Sequence, residues 1–212
     1  DMGYSNPSTV FRWSIPGWIK DYEAWWNIEA AKAEMYPGVL ESMTVNGLLY
    51  GLPYFVSIRG TIMANNAILS KAGIDASGYP KTWAELFDTE KFPGKRTFYK
   101  WSAPGVIEAA LLADGVAPAD LYPLDPDRAF AKLDTIKDDI VWWSSGAQSQ
   151  QMLASAETPF GSFWNGRLTA LAESGITVES SWDQNITAAD SLVVPKGAPN
   201  KAEAMKFIAL AT

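Results

Sequence analysis

The sequence has no cysteine and no histidine in 212 residues. Without cysteine there are no disulfides and no thiol nucleophile. Without histidine there is no Ser-His or Cys-His catalysis, and the usual zinc ligand sets are gone. No apolar run reaches the roughly 20 residues that a membrane-crossing helix needs. Basic residues are the scarcer charge, 17 Lys and Arg against 24 Asp and Glu, for a net −7. A nucleic-acid partner is therefore not expected. The Gly-rich phosphate patterns are absent, so nucleotide binding finds little support. The opening "DMGYSNPSTV" carries no signal-peptide pattern, as would be true of a mature secreted chain. No cofactor and no metal is expected, and no set of residues is consistent with catalysis.

What is abundant is tryptophan, ten residues of it, with aromatics at 13%. Trp offers a flat, rigid contact surface, so this count favours aromatic-walled recognition over a merely Trp-rich core. Elsewhere the pattern alternates short strands and helices, which argues for α/β layers. A helix is expected from about Trp18 to Met35, stopped by Pro37 and Gly38. Asn46-Gly47 signals a hairpin between two short strands, and Pro53 an edge or strand end. Thr82 and Glu85 form a T-x-x-E capping box. Asp125-Pro126 reads as N-cap and first helical residue. "TVESSW" and "DSLVVPKG" read as two strands. A last helix begins after Asn200, with Ala204, Phe207, Ile208 and Ala211 on one face.

Open α/β sheets bind ligands at strand-to-helix turns, and three such turns carry unusual side chains. In "WWSSGAQSQQ", Ser145 precedes a helix whose free N–H groups suit a polar or anionic group; the plainer reading is a serine N-cap. In "FGSFWNGR", Trp164 can stack on a ligand, and Asn165 can cap a helix or bind polar groups. Arg167 can grip a carboxylate through two parallel N–H···O bonds. The alternatives are core packing for Trp164 and a solvated helix position for Arg167. In "SWDQNITAADSLVVP", Trp182 and Asp190 sit around a strand entry, with Asp190 at its mouth; a turn or capping carboxylate is the plainer reading.

In order along the chain, these motifs resemble the extracellular solute-binding proteins of ABC importers. "VNGLLYGLPYFVSIRGTIMANNAILSKAGID" followed by "PKTWAELFD" is similar to the family's "dG-x-lYGlPy" strand, its "Yn…l-kkaGi" helix and its "P-x-TW-x-el" segment. Met63-Ala64-Asn65 stands where a Tyr-Asn pair is common. From about Phe92 onward, "FPGKR", "WNGR" and "DSLVVPKGAPNKAEAMKFIA" resemble the spermidine/putrescine-binding branch, whereas the first 90 residues resemble the sugar-binding branch. The resemblance implies a two-lobe, type II-like periplasmic-binding-protein fold, α/β throughout, with ligand held in an interlobe cleft. Residues 1–65 and 190–212 would supply part of the first lobe and 66–189 the second. The family's opening strand and helix and its C-terminal tail are not matched, so the fold is expected to be incomplete in this chain. The resemblance also implies a monomer that delivers its solute to a membrane permease from a periplasmic or extracellular location, soluble or lipid-anchored, without chemistry on the ligand.

Polyamine binders of this family are similar in using carboxylates for the ammonium groups and aromatics for the methylenes. Asp190 matches that pattern, but the "SSGAQSQ" turn lacks its acidic residues, and one carboxylate suits a dication poorly. Arg167 and Asp190 together suit a zwitterion: carboxylate on Arg167, ammonium on Asp190, apolar stem on Trp164 or Trp182. An amine or amino-acid-like solute is thus expected, with Tyr54, Ser57 and Arg59 as first-lobe contacts. A sugar is the alternative within the family. A carboxylate-dependent hydrolase such as a glycosidase, needing a facing carboxylate pair, is the alternative outside it.

Overall fold

The computed structural model describes residues 3–23, 28–71, 73–75, 77–102, 104–155 and 157–211. Along the chain run β1 (Gly3–Ser5), α1 (Pro7–Ser14), α2 (Ile28–Ala33), α3 (Pro37–Ser42), β2 (Thr44–Val45), β3 (Leu48–Leu49), β4 (Leu52–Asn65) and α4 (Asn66–Lys71). Then follow α5 (Trp83–Phe87), β5 (Arg96–Tyr99), α6 (Val106–Ala113), α7 (Pro126–Asp134), β6 (Ile140–Trp143), α8 (Gly146–Ala154), β7 (Phe160–Phe163), α9 (Arg167–Glu173), β8 (Val178–Val193) and α10 (Lys201–Ala211). The chain divides into two units, Asp1–Ser57 with Ala188–Thr212, and Ile58–Thr187.

In the first unit the Asn6 side chain accepts from Thr9 N at 3.0 Å and Pro7 opens α1, so the helix starts where a cap and a fixed φ coincide. Asn46 (φ 51°) and Gly47 (φ 79°) turn β2 into β3, the left-handed pair that a two-residue hairpin demands. The core gathers Val10, Met43, Leu49, Leu52, Val193 and Ile208. On α10, Ala204 and Ile208 face it, whereas Phe207 is half exposed. The helix expected over 18–35 is seen only as α2, with 24–27 outside the described residues. Ahead of it, Gly17 takes φ 68°, Ile19 bridges to Pro195, and Lys196 N donates to Trp18 O. That non-local pairing buries Ile19 and outweighs the helical periodicity of the segment.

In the second unit the strand order is β8-β4-β7-β5-β6. β7 lies antiparallel to β4 (Thr61↔Phe163 to Ala64↔Phe160) and parallel to β5, which is parallel to β6. Alternation sorts the side chains onto two faces. Ile62, Ala64 and Phe160 pack with Trp83, Leu86 and Leu111 of α5 and α6, whereas Met63 and Phe163 pack with Leu153 of α8 and Leu171 of α9. Helices thus cover both faces, the α/β layering the strand–helix alternation implies. The caps are those the sequence signals: Thr82 Oγ1 accepts from Glu85 N at 3.2 Å, and Asp125 Oδ1 from Arg128 N at 3.0 Å. Glu85 reaches Lys81 N, one residue before the cap.

β8 is one continuous 16-residue strand where the sequence suggests two. The polar residues that resemble a turn are used across the fold instead. Trp83 N donates to Gln184 Oε1 and Trp83 Nε1 to Gln184 O, both at 2.8 Å, and Thr61 Oγ1 donates to Asn185 Oδ1 at 3.0 Å. Asp190 therefore lies inside a strand, not at a strand's mouth.

Arg96 is fully buried, and its guanidinium donates to the carbonyls of Leu86, Asp88, Phe92 and Gly94. Burial pulls its pKa below the usual arginine value against the opposing charges of Asp139 and Asp88. Arg96→Ala would orphan those carbonyls and lower the unfolding free energy by about 3–5 kcal/mol in a urea titration. Gly161→Ala would place a Cβ within 2.6 Å of Thr97 O. It is expected to cost about 1–3 kcal/mol in the same titration, because backbone, not a flexible side-chain end, stands in the way.

Candidate functional site

Three neighbouring strands of the second unit end at one edge, and each ends on an aromatic. β5 finishes at Tyr99, β6 at Trp143, and β7 at Phe163 with Trp164 next. Tyr99 stacks on Trp143 at 4.5 Å between centroids and 21°, and on Trp101 at 6.1 Å and 12°. Trp164 stands edge-on to Tyr99 (5.0 Å, 75°) and to Trp143 (5.1 Å, 85°). These are the stacked and T-shaped geometries that ring quadrupoles favour. Burial grades the wall: Trp143 is fully buried, Tyr99 and Trp164 are half-buried, and Trp101 is 56% exposed. Trp143 Nε1 donates to Ser162 O at 3.1 Å, whereas Trp164 Nε1 is buried with no acceptor among the described residues. From β4, the Arg59 guanidinium lies 5.7 Å from the centre of the Trp164 ring, a cation–π contact.

The turn after β7 then carries Asn165, whose amide makes no hydrogen bond among the described residues, and Arg167, the first residue of α9. The Arg167 guanidinium lies against the backbone of Gly146, the first residue of α8: a Cβ built there would come within 2.6 Å of its Cζ, Nε and Nη2 atoms. It has no hydrogen bond or ion pair among the described residues. Ser145 caps that helix, its Oγ accepting from Gln148 N at 3.2 Å, so the plainer reading of this serine is the one the structure gives. A guanidinium at the positive end of a nine-residue helix is repulsive unless an anion lies nearby. The spot is chemically suited to a carboxylate.

The remaining predicted residues are placed as follows. Trp182 is half exposed on β8 and makes no ring contact among the described residues. It falls between two tethers of β8, Asn66 Nδ2 at the start of α4 to Glu179 Oε1 and Thr61 Oγ1 of β4 to Asn185 Oδ1. Those tethers put it beside the part of β4 paired with β7, short of the Arg59 level. In the first unit, Tyr54 is half exposed, Ser57 Oγ is buried with no partner among the described residues, and Asp190 is buried at 2% exposure. Tyr99, Trp101 and Trp143 are absent from the sequence-derived set. The signal for them is the rule that ligands meet open α/β sheets beyond the carboxyl ends of the strands, applied to "RTFYKW" and "IVWW".

The family model for bacterial extracellular solute-binding proteins matches residues 10–212. The chain belongs to this family. A gamma-aminobutyric acid-binding protein of Pseudomonas aeruginosa is 42% identical over 138 residues, 63% of this chain and 39% of that one. A solved GABA-receptor structure is 54% identical with a TM-score of 0.78, covering all of this chain and 60% of the other. An ABC transporter substrate-binding protein from Bradyrhizobium japonicum is 35% identical with a TM-score of 0.81, covering all of this chain and 61% of the other. The fold is thus that of the periplasmic binding proteins, and the chain spans about two fifths to three fifths of the length of these relatives.

Two tryptophans of the wall separate structural from exposed roles. Trp143→Phe leaves the buried Ser162 carbonyl short of a donor and is expected to cost about 1–3 kcal/mol of stability. Trp164→Phe removes a donor with no acceptor among the described residues and should stay within about 1 kcal/mol of the unaltered chain. Denaturant midpoints of the two variants check the contrast.

Proposed function

We propose that this chain is the solute-capturing part of an ABC importer and that its solute is an ω-amino acid of the GABA type. The observation that carries this is Arg167, a guanidinium with no counter-charge among the described residues, set at the positive end of α8 and one turn from an aromatic wall. A carboxylate would accept two parallel N–H···O bonds from it and offset the helix end at the same time. Tyr99, Trp101 and Trp164 would cover the methylenes, Asn165 would add a polar contact, and Asp190 would take the ammonium. Tyr54, Ser57 and Arg59 remain proposed contacts, whereas Trp182 is the weakest of the set. The names of the 42% and 54% identical relatives, both carrying GABA, support this solute class. A polyamine fits less well, because it would bring two or more positive charges toward Arg59 and Arg167. Among the described residues no helix is long and apolar enough to cross a membrane. A periplasmic or extracellular location, with a membrane permease as partner, is part of the same proposal.

Calorimetric titration with GABA, putrescine and a hexose tests the reading. GABA is expected to bind and the other two to bind much more weakly or not at all. Arg167→Ala should weaken GABA roughly ten- to hundredfold, the equivalent of the ~1.5–3 kcal/mol of charge-assisted hydrogen bonds. Trp182→Ala should change it less than about twofold. Binding of putrescine or a hexose in preference to GABA would sink the proposal.

A further inference from the structure

Gly146 has no backbone reason to be glycine. Its φ is not in the left-handed region, unlike those of Gly105, Gly115 and Gly175. It sits at the first position of a helix, where alanine is favoured over glycine for conformational entropy. What occupies its missing side chain is the Arg167 guanidinium: a Cβ would stand 2.4 Å from Nη2, 2.5 Å from Nε and 2.6 Å from Cζ. The atoms met are the far end of a flexible side chain, so an alanine there would move the guanidinium and leave α8 in place. At Gly161, by contrast, the atoms met include Thr97 backbone, and the fold itself would have to give.

We infer that Gly146 is a positioning residue for Arg167, holding the guanidinium flat against the first turn of α8 at the height where it meets a ligand carboxylate. The ligand part of this inference rests on the reading of the site given above; the packing part does not. Ser145 fixes where the helix begins by capping Gln148 N, and Ser149 Oγ returns to Gly146 O at 2.9 Å. The first turn is therefore a firm surface for the guanidinium. Any residue with a Cβ at position 146 would tilt the arginine outward and spoil its two-point grip without touching the ligand.

The test is a double-mutant cycle on the full chain, with the unaltered protein, Gly146→Ala, Arg167→Ala and the double variant. GABA affinity is read by calorimetry and Tm by thermal unfolding. In the unaltered background, Gly146→Ala should weaken GABA about tenfold. In the Arg167→Ala background it should leave affinity unchanged. Gly146→Ala should also raise Tm by about 1–3 °C more in the Arg167→Ala background than in the unaltered one, because only there is the Cβ free of the guanidinium. Equal Tm changes in both backgrounds would overturn the packing that the proposal requires. GABA affinity within twofold of the unaltered protein in Gly146→Ala, or an equal loss in both backgrounds, would overturn the positioning role. Failure of the unaltered chain to bind GABA would overturn the ligand reading alone, and the Tm coupling would still decide the packing.

Discussion

β7 can lie against β5 only because residue 161 has no side chain. Thr97 brings its backbone N and O and its methyl group into the volume a Cβ at 161 would fill. With that contact made, β7 is held between β5 and β4, and its two faces feed separate cores through Phe160 and Phe163. Its C-terminal end then falls level with those of β5 and β6. The aromatic wall follows: Trp164 can stand edge-on to both Tyr99 and Trp143 only if the three strand ends share one edge. The next turn carries Arg167 onto the first turn of α8. A four-residue strand thus brings the aromatic wall and Arg167 to one edge of this unit.

Buried polar groups hold the same unit in register. Arg96, at the start of β5, donates to the Leu86 carbonyl within α5 and to the Asp88, Phe92 and Gly94 carbonyls of the segment that follows. Trp83 and Thr61 fix β8 through Gln184 and Asn185. These bonds are directional where the apolar core is not, and a one-residue slip of a strand would leave them unmade. Such slips would also turn Phe160 and Phe163 to the wrong faces, so packing and hydrogen bonding reject the same errors.

Features set by a few adjacent residues were legible in the sequence. Asn46-Gly47 gave its hairpin, Asp125-Pro126 and Thr82 their helix starts, and the strand–helix alternation its α/β class. The resemblance pointed to the family. The misreadings fall where distant residues decide. The segment after Trp18 abandons a helical pattern because Ile19 pairs with Pro195, 176 positions away. The polar run "DQN" lies inside β8 rather than between two strands, with the Gln184 side chain bonded to Trp83 N and that of Asn185 to Thr61. Of the wall, Trp164 was visible because it sits in an unusual turn. Tyr99 and Trp143 end ordinary-looking strands, and only the shared edge gives them a role.

Charge at the site and charge over the chain point in different directions, and distance decides between them. The net −7 would draw cations toward the protein from solution. Beyond about 8 Å at physiological ionic strength that field is largely screened. At the wall, the near charges are Arg59 on the Trp164 ring and Arg167 over Gly146. Close guanidinium groups in a partly desolvated setting interact more strongly than the dispersed acidic surface does. The proposed preference for a zwitterion over a dication therefore turns on these near arginines, while the overall charge influences arrival more than retention. A solute carboxylate beside Arg167 would meet an opposite charge there, and the aromatic wall one turn away would cover an adjoining apolar stem.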